Sequence, residues 1–191
     1  MPPWRIVLAV AVMVAVVIVQ AYANPFVVFP KAGELVSPDG RFVVRNAEHE
    51  SAGSDFVGTF RSLWLTEVAT GRSRKLCDYI GVAAVAWSSN DFLVITQYLN
   101  KKTSRALVLS AAGPESVLLD KPTLIRLVPA ELRTTLRDND HVFVEGTRVE
   151  GETLHLGVWG YGQHDANGFR WRCEYALREG TIFCTEQRGS Q

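Results

Sequence analysis

The sequence lacks the short motifs with which many enzymes hold a catalytic group or a cofactor. Its 191 residues contain no G-x-S-x-G nucleophile elbow, no H-E-x-x-H zinc motif, no C-x-x-C pair and no phosphate-binding G-x-x-x-x-G-K loop. Gly160-Tyr161-Gly162 begins like a dinucleotide-binding fingerprint, but Asp165 stands where that motif requires its third glycine. We therefore expect no cofactor and assign no catalytic residue, and the sequence favours a protein that is not an enzyme.

The sequence also lacks an excess of charge of either sign. It has 20 Lys and Arg residues against 20 Asp and Glu residues, so the formal net charge is zero with neutral histidines. Nucleic acids and anionic membranes are held by broad basic surfaces, so neither is predicted as a partner. The four histidines, at positions 49, 141, 155 and 164, show no metal-ligand spacing with one another. We predict no metal site.

Cysteine is scarce, and its count of three is odd. Cys173 and Cys184 lie 11 positions apart across a predicted hairpin turn at residues 178–180. A three-residue loop there places Cys173 opposite Thr185, whereas a loop of two or four residues places the two cysteines directly opposite each other. The second register allows a disulfide between Cys173 and Cys184, which an oxidising compartment permits. Cys77 is then expected to be a buried free thiol.

The N-terminus has the three parts of a secretory signal. Arg5 supplies a positive charge, residues 6–19 form an apolar run of 14, and Ala21-Tyr22-Ala23 is the small-residue triplet that signal peptidase requires. We predict a signal peptide over residues 1–23 and one exported domain over residues 24–191, located in the periplasm or secreted. The alternative is an uncleaved membrane anchor, for which the run is shorter than the roughly 20 residues of a spanning helix.

Strand patterns dominate the rest of the chain. From Phe169 to Leu177, every second residue is apolar, and Arg170, Arg172 and Glu174 occupy the positions between them. This alternation predicts a strand with one buried and one solvated face. Because short strands and turns recur along the whole domain, we predict an all-β fold.

One segment has the pattern of a short helix, near residues 129–137. Pro129 stands where a helix begins, Glu131 lies in the first turn, and Leu132 and Leu136 share one helical face. We predict that this helix connects two β units.

The strands recur in about three repeated units. Each unit consists of a turn, a strand, a loop and a hairpin, and the units begin near Ser37, Ser88 and Val149. Repeats about 50 and 60 residues apart are typical of stacked β units. We therefore predict antiparallel meanders.

Two of the units resemble the blade repeats of TolB-type β-propellers. The stretches that carry the likeness are Ser37-Pro38-Asp39-Gly40-Arg41, which lacks the family's tryptophan, and Ala86-Trp87-Ser88-Ser89-Asn90-Asp91, which lacks its proline and glycine. Closed propellers have four to eight blades. Since only three units are present, the resemblance implies either a β-sandwich built from propeller-like meanders or a partial propeller with covered edges.

A glycine-rich stretch at residues 159–168 is the candidate binding segment. It brings together Trp159, Tyr161, His164 and Asp165, which are two aromatic rings, an imidazole and a carboxylate. Flat rings stack on sugars or apolar side chains, and neighbouring polar groups fix their orientation. In the alternative interpretation, Trp159 and Tyr161 are core or edge residues, and 165–168 is an ordinary turn.

These observations predict an exported binding module whose partner is another envelope or secreted protein, or else a glycan. The alternative is a small hydrolase or hydrolase inhibitor that uses the 159–168 loop together with the 48–55 loop, which contains Glu48, His49 and Asp55. An exposed aromatic patch favours binding, whereas a cleft that joins His49 or His164 to a carboxylate favours an enzyme. A structural envelope protein without a specific ligand is the third possibility.

Overall fold

A computed structural model describes residues 23–49, 60–89, 91–100, 102–163 and 167–187. Residues 1–22 of the predicted signal peptide and most of the 48–55 loop lie outside these residues, as do His164 and Asp165. Within the described part, no helix is both long and apolar enough to cross a membrane.

The fold is all-β, as the sequence predicts. The described residues form fourteen strands and two short helices. The elements are β1 (Ala23–Asn24), β2 (Val27–Phe29), β3 (Glu34–Val36), β4 (Phe42–His49), β5 (Phe60–Glu67), β6 (Ser73–Ile80), β7 (Ala83–Ser88), β8 (Phe92–Asn100), β9 (Thr103–Ser110), β10 (Ser116–Leu119), α1 (Lys121–Leu127), α2 (Ala130–Asp138), β11 (His141–Glu150), β12 (Thr153–Tyr161), β13 (Phe169–Ala176) and β14 (Ile182–Glu186).

Twelve of these strands form three consecutive four-stranded antiparallel meanders. The first meander is β3 to β6, the second is β7 to β10 and the third is β11 to β14. β2 adds to the second meander beside β7, and β1 adds to the third beside β11. A single parallel pair, Thr103 with Val142, joins the second and third meanders into one ten-stranded sheet. The predicted number of repeated units is therefore the observed number of meanders.

The meanders stack face to face, as the layers of a β-sandwich do. On one side of the second meander, Leu93 and Ile95 pack with residues of the first meander in one core cluster. On its other side, Val94 and Ala106 pack with the third meander and both helices. The second meander is thus covered on both faces, which explains why β7 reads Ala-Ala-Val-Ala-Trp-Ser without apolar and polar alternation.

Buried hydroxyl groups join the second and third meanders where regular strand pairing stops. The Ser104 Oγ accepts a hydrogen bond from the Val144 N–H at 2.8 Å and donates one to the Val144 carbonyl at 3.0 Å. The Thr96 Oγ1 accepts one from the Gly146 N–H at 2.9 Å. These side chains satisfy backbone groups of β11 that would otherwise be buried without partners.

Charged and polar contacts fasten the end of the stack at which the β7–β8, β11–β12 and β13–β14 turns lie. Arg178 binds Asp91 through Nη2 at 2.7 Å and Glu152 through Nε at 2.5 Å. The Ser88 hydroxyl donates to the Gly151 carbonyl. These contacts join the first turn of the second meander to two turns of the third. We call this end the fastened end.

The two helices connect β10 to β11 and cover the core through Leu124 and Leu136. The second helix is the predicted one, and it begins after Pro129. The sequence analysis did not predict the first helix. Its N-cap, Asp120, accepts a hydrogen bond from the Thr123 N–H at 3.0 Å and is the sequence signal that could have revealed it.

The last hairpin has a four-residue loop, 177–180, in which the Gly180 N–H donates to the Ala176 carbonyl. This is the register in which Cys173 lies directly opposite Cys184, and the two residues form a disulfide. Cys77 is a free thiol, but it is half-buried rather than fully buried. Burial nevertheless raises the pKa of Cys77 to about 11, although the charge of Arg105 opposes the shift.

Thiol counting tests this cysteine assignment. Without reductant, a denatured chain should expose one free thiol, and reduction should raise the count to three. In the native protein at pH 8, Cys77 should react slowly with a disulfide reagent, because a pKa of about 11 leaves roughly one thiol in a thousand ionised. Three free thiols before reduction would contradict the disulfide.

Ser104→Ala tests the hydroxyl contacts between the meanders. The variant should lose about 2 kcal/mol of unfolding free energy, since it leaves the buried Val144 N–H and carbonyl without this partner. Urea denaturation measures the change. Ser116→Ala, on an exposed position of β10, is the matched control and should change stability by less than about 0.5 kcal/mol. Equal losses in the two variants would show that the hydroxyl contacts contribute nothing specific.

Candidate functional site

The loops named by the sequence leave the stack at one end, opposite the fastened end. At the fastened end, Phe42, the first residue of β4, stacks on Trp87 near the end of β7. β4 therefore finishes at the other end with His49, and β12 finishes there with Tyr161, next to the start of β11. We call this the loop end. The 48–55 and 159–168 segments both depart from it, although their imidazoles at 49 and 164 lie outside the described side chains.

Four aromatic side chains and an imidazole form a contiguous patch at the loop end. We call Tyr98, His141, Phe143, Trp159 and Tyr161 the aromatic patch. The Trp159 and Phe143 rings are stacked with centroids 3.8 Å apart, and the His141 and Tyr161 centroids are 4.6 Å apart. Phe143 also contacts Tyr98 and Tyr161, at 6.5 and 6.3 Å. Strand register produces this arrangement, because Phe143 pairs with Trp159 and His141 pairs with Tyr161.

The aromatic patch has a buried centre and an exposed margin. Phe143 is 4% exposed, Trp159 is half-buried, and Tyr98 and Tyr161 are 43% and 42% exposed. Three further apolar side chains at the loop end are also exposed, namely Ile80, Val82 and Leu99. Rings that are held by a buried neighbour and still reach solvent offer a rigid apolar surface.

The glycines of the 159–168 segment serve packing within the chain. A Cβ on Gly160 would lie 2.4 Å from the His141 carbonyl oxygen, and a Cβ on Gly162 would lie 2.9 Å from the Asp138 carbonyl oxygen. Gly168 has a φ of 66° and approaches the Gly160 carbonyl. The chain's own backbone therefore occupies the space beside these glycines, and it is not available to a partner.

A second feature, which the sequence analysis missed, is a cleft on the solvent-facing side of the third meander. We call it the outer cleft. Its volume is about 820 Å³. It is lined by Gln187, which follows β14, and by outward-pointing residues of four neighbouring strands, among them Glu145, Thr147, Arg148, His155, Gly157, Trp159, Arg170, Arg172, Glu174, Phe183 and Thr185. The sequence analysis recognised the alternating charged residues of β13 that line the cleft. The cleft also depends on which residue of β12 lies beside them, and that residue is set by strand pairing.

One side of the outer cleft holds a histidine between two carboxylates. The His155 Nε2 lies 3.2 Å from Glu150 Oε2, and its Nδ1 lies 3.6 Å from Glu174 Oε1. Arg148 also contacts Glu150, at 3.2 Å. Within the described residues, no group of three or more His, Cys, Asp or Glu side chains has an arrangement that could hold a metal ion. His155 thus has a carboxylate beside each of its two ring nitrogens.

The other side of the outer cleft carries two arginines without carboxylate partners. In the described part of the chain, neither Arg170 nor Arg172 has a carboxylate oxygen within 4.0 Å. The side-chain oxygen of Gln187, in the amide orientation that satisfies both groups, accepts from Nε and Nη2 of Arg172 at 2.5 and 2.7 Å. Burial raises the pKa of Glu145, across the cleft, and the charge of Arg170 partly opposes that rise.

Arg170→Gln tests the electrostatic coupling across the cleft. Because the Arg170 charge favours ionised Glu145, removing it should raise the pKa of Glu145 further. Titration of the side-chain carboxyl by ¹³C NMR measures the shift. Since the pKa of Glu145 is raised in the folded state, its contribution to stability falls as pH rises through that pKa. Arg126→Gln, on α1, is the control, and an unchanged Glu145 pKa in Arg170→Gln would contradict the coupling.

Comparison with known proteins adds no assignment. No family model, no curated protein and no solved structure matches this chain. The function is therefore argued from the geometry of the aromatic patch and the outer cleft.

Proposed function

We propose that the protein is an exported binding module of the cell envelope or the secreted space, and that a protein partner binds its aromatic patch. The single observation that carries the proposal is the stack of Trp159 on buried Phe143, with Tyr98 and Tyr161 exposed beside it. Tyrosine and tryptophan are the residues most enriched at energetically dominant positions of protein interfaces.

The rigidity of the patch supports a protein partner. The rings project from paired strands, and Phe143 contacts three of the other members. An aromatic ring that is already held in one orientation loses little conformational entropy when a partner covers it. The exposed neighbours Ile80, Val82 and Leu99 would extend the apolar contact area at the loop end.

Export is part of the proposal and is supported by two features. The N-terminal segment has the charge, apolar run and small-residue triplet of a secretory signal. The Cys173–Cys184 disulfide suits an oxidising compartment outside the cytoplasm. The resemblance to TolB-type blades stays a prediction, and fold likeness would be a weak argument for function.

The second candidate function is a small hydrolase or hydrolase inhibitor. It is favoured by one observation, that the 48–55 and 159–168 segments leave the stack at the same end. His49 and His164 would be its acid–base groups, since imidazoles titrate near neutral pH. If the unaltered protein hydrolyses a substrate and both His49→Ala and His164→Ala lose that activity, the result would select this candidate over the binding module.

Tyr161→Ala tests the binding proposal. With the exported protein as bait in an envelope extract, mass spectrometry should identify one dominant partner, and Tyr161→Ala should lose it. Tyr161 is 42% exposed, so the variant should lose less than about 1 kcal/mol of stability. Trp159→Ala should also lose the partner, at a larger cost in stability because it removes the ring stacked on Phe143.

Val117→Ala is the matched control, because Val117 is an exposed apolar residue on β10, outside the patch. It should retain the partner. Loss of cooperative unfolding in Tyr161→Ala would assign that ring to the core instead. Retention of the partner by both aromatic variants would remove the patch from the interface.

A further inference from the structure

The outer cleft owes its depth to a residue without a side chain. On the outward face of the third meander, Glu145, Gly157, Arg172 and Thr185 lie side by side on four strands. A Cβ built on Gly157 would contact only the Thr147 Cγ2, at 3.8 Å, so the space above it is open. Gly157 on β12 therefore leaves a hollow between Glu145 on β11 and Arg172 on β13.

The charges around the hollow favour a ligand with separate carboxylates. Arg170 and Arg172 lie two positions apart on β13, point to the same side, and have no carboxylate within 4.0 Å among the described residues. Guanidinium groups bind carboxylates through two parallel hydrogen bonds. Glu145 and Glu174 also line the cleft, and they would repel a densely charged polyphosphate while accepting hydrogen bonds from hydroxyl groups.

The cleft also has an aromatic wall. Trp159 follows Gly157 by one outward position on β12 and lines the cleft, while Phe143 stacks on its ring. Sites that combine a fixed ring with a few convergent polar groups hold flat or ring-shaped ligands. A volume of about 820 Å³ is within the usual range for small-molecule sites.

We propose that the outer cleft is a second binding site, whose ligand is a short oligosaccharide bearing carboxylates, such as an oligouronate. A sugar ring would stack on Trp159, its carboxylate would bind Arg170 and Arg172, and its hydroxyls would donate to Glu145. An extended acidic peptide fits less well. Peptides of that kind pair with free backbone groups at sheet edges, whereas the hollow lies over β12, which is paired on both sides.

Calorimetric titration of the exported protein with tetramers of galacturonate, mannuronate and glucuronate tests the proposal. At least one tetramer should bind at physiological salt, and its fully methyl-esterified form, which keeps the rings and loses the charges, should bind at least about tenfold more weakly. Arg170→Gln and Arg172→Gln should each weaken binding by about tenfold or more. Arg126→Gln, on α1 and outside the cleft, should bind as the unaltered protein does.

Gly157→Leu is the variant that separates binding from folding. The leucine would occupy the hollow without a backbone clash, and it replaces a glycine that weakens the interior of a strand. The variant should therefore unfold at the same or a higher temperature and bind no uronate. If the arginine variants do not fold, Gly157→Leu alone decides the question.

Three outcomes would overturn the proposal: no tetramer binds, the methyl ester binds as well as the acid, or Gly157→Leu binds normally. A tetraglutamate peptide that binds more tightly than every uronate would assign the cleft to acidic peptides instead. The cleft and the aromatic patch are tested separately. Tyr161→Ala should leave uronate affinity unchanged, and Gly157→Leu should still capture the protein partner.

Discussion

The structure depends on the burial of the second meander from both sides. Its strands have apolar residues facing the first meander and apolar residues facing the third, so neither neighbour can be removed without exposing a core. The third meander in turn has one face packed on the second and one face in solvent. Apart from Tyr98 on β8, the residues of both candidate sites lie on that outward face of the third meander or at its end.

Strand register determines that this face carries two distinct surfaces, the aromatic patch and the outer cleft. Where Phe143 pairs with Trp159, large rings meet and stack. Two pairs further along, on the same face, Glu145 lies opposite Gly157, and the missing side chain opens a hollow. A slip of β12 by one residue against β11 would turn Gly157 and Trp159 towards the core and bring Val158 to the surface. The same hydrophobic pattern that stabilises the sheet therefore fixes the geometry of both sites.

Much of the fold could be predicted from the sequence, because strand alternation and turn residues are local signals. They indicated three repeated units, the two faces of β13 and the helix that begins after Pro129. Trp159 and Tyr161 were predicted as binding candidates, and the structure brings both into the aromatic patch. Their supports, Tyr98 and Phe143, were not predicted. Their positions follow from strand pairing and from the stacking of meanders, neither of which is encoded by residues close in sequence.

The contacts of Arg178 with Asp91 and Glu152, and that of Ser88 with Gly151, lie at the end of the molecule opposite the loops. The contacts that join the turns and the segments proposed to bind a partner therefore lie at opposite ends of the molecule. Residues at the fastened end hold the turns of the second and third meanders together at a distance from the loops. Apart from the packed glycines of 159–168, descendants of this protein could therefore change the loop segments, and with them the molecules they recognise, without disturbing these contacts.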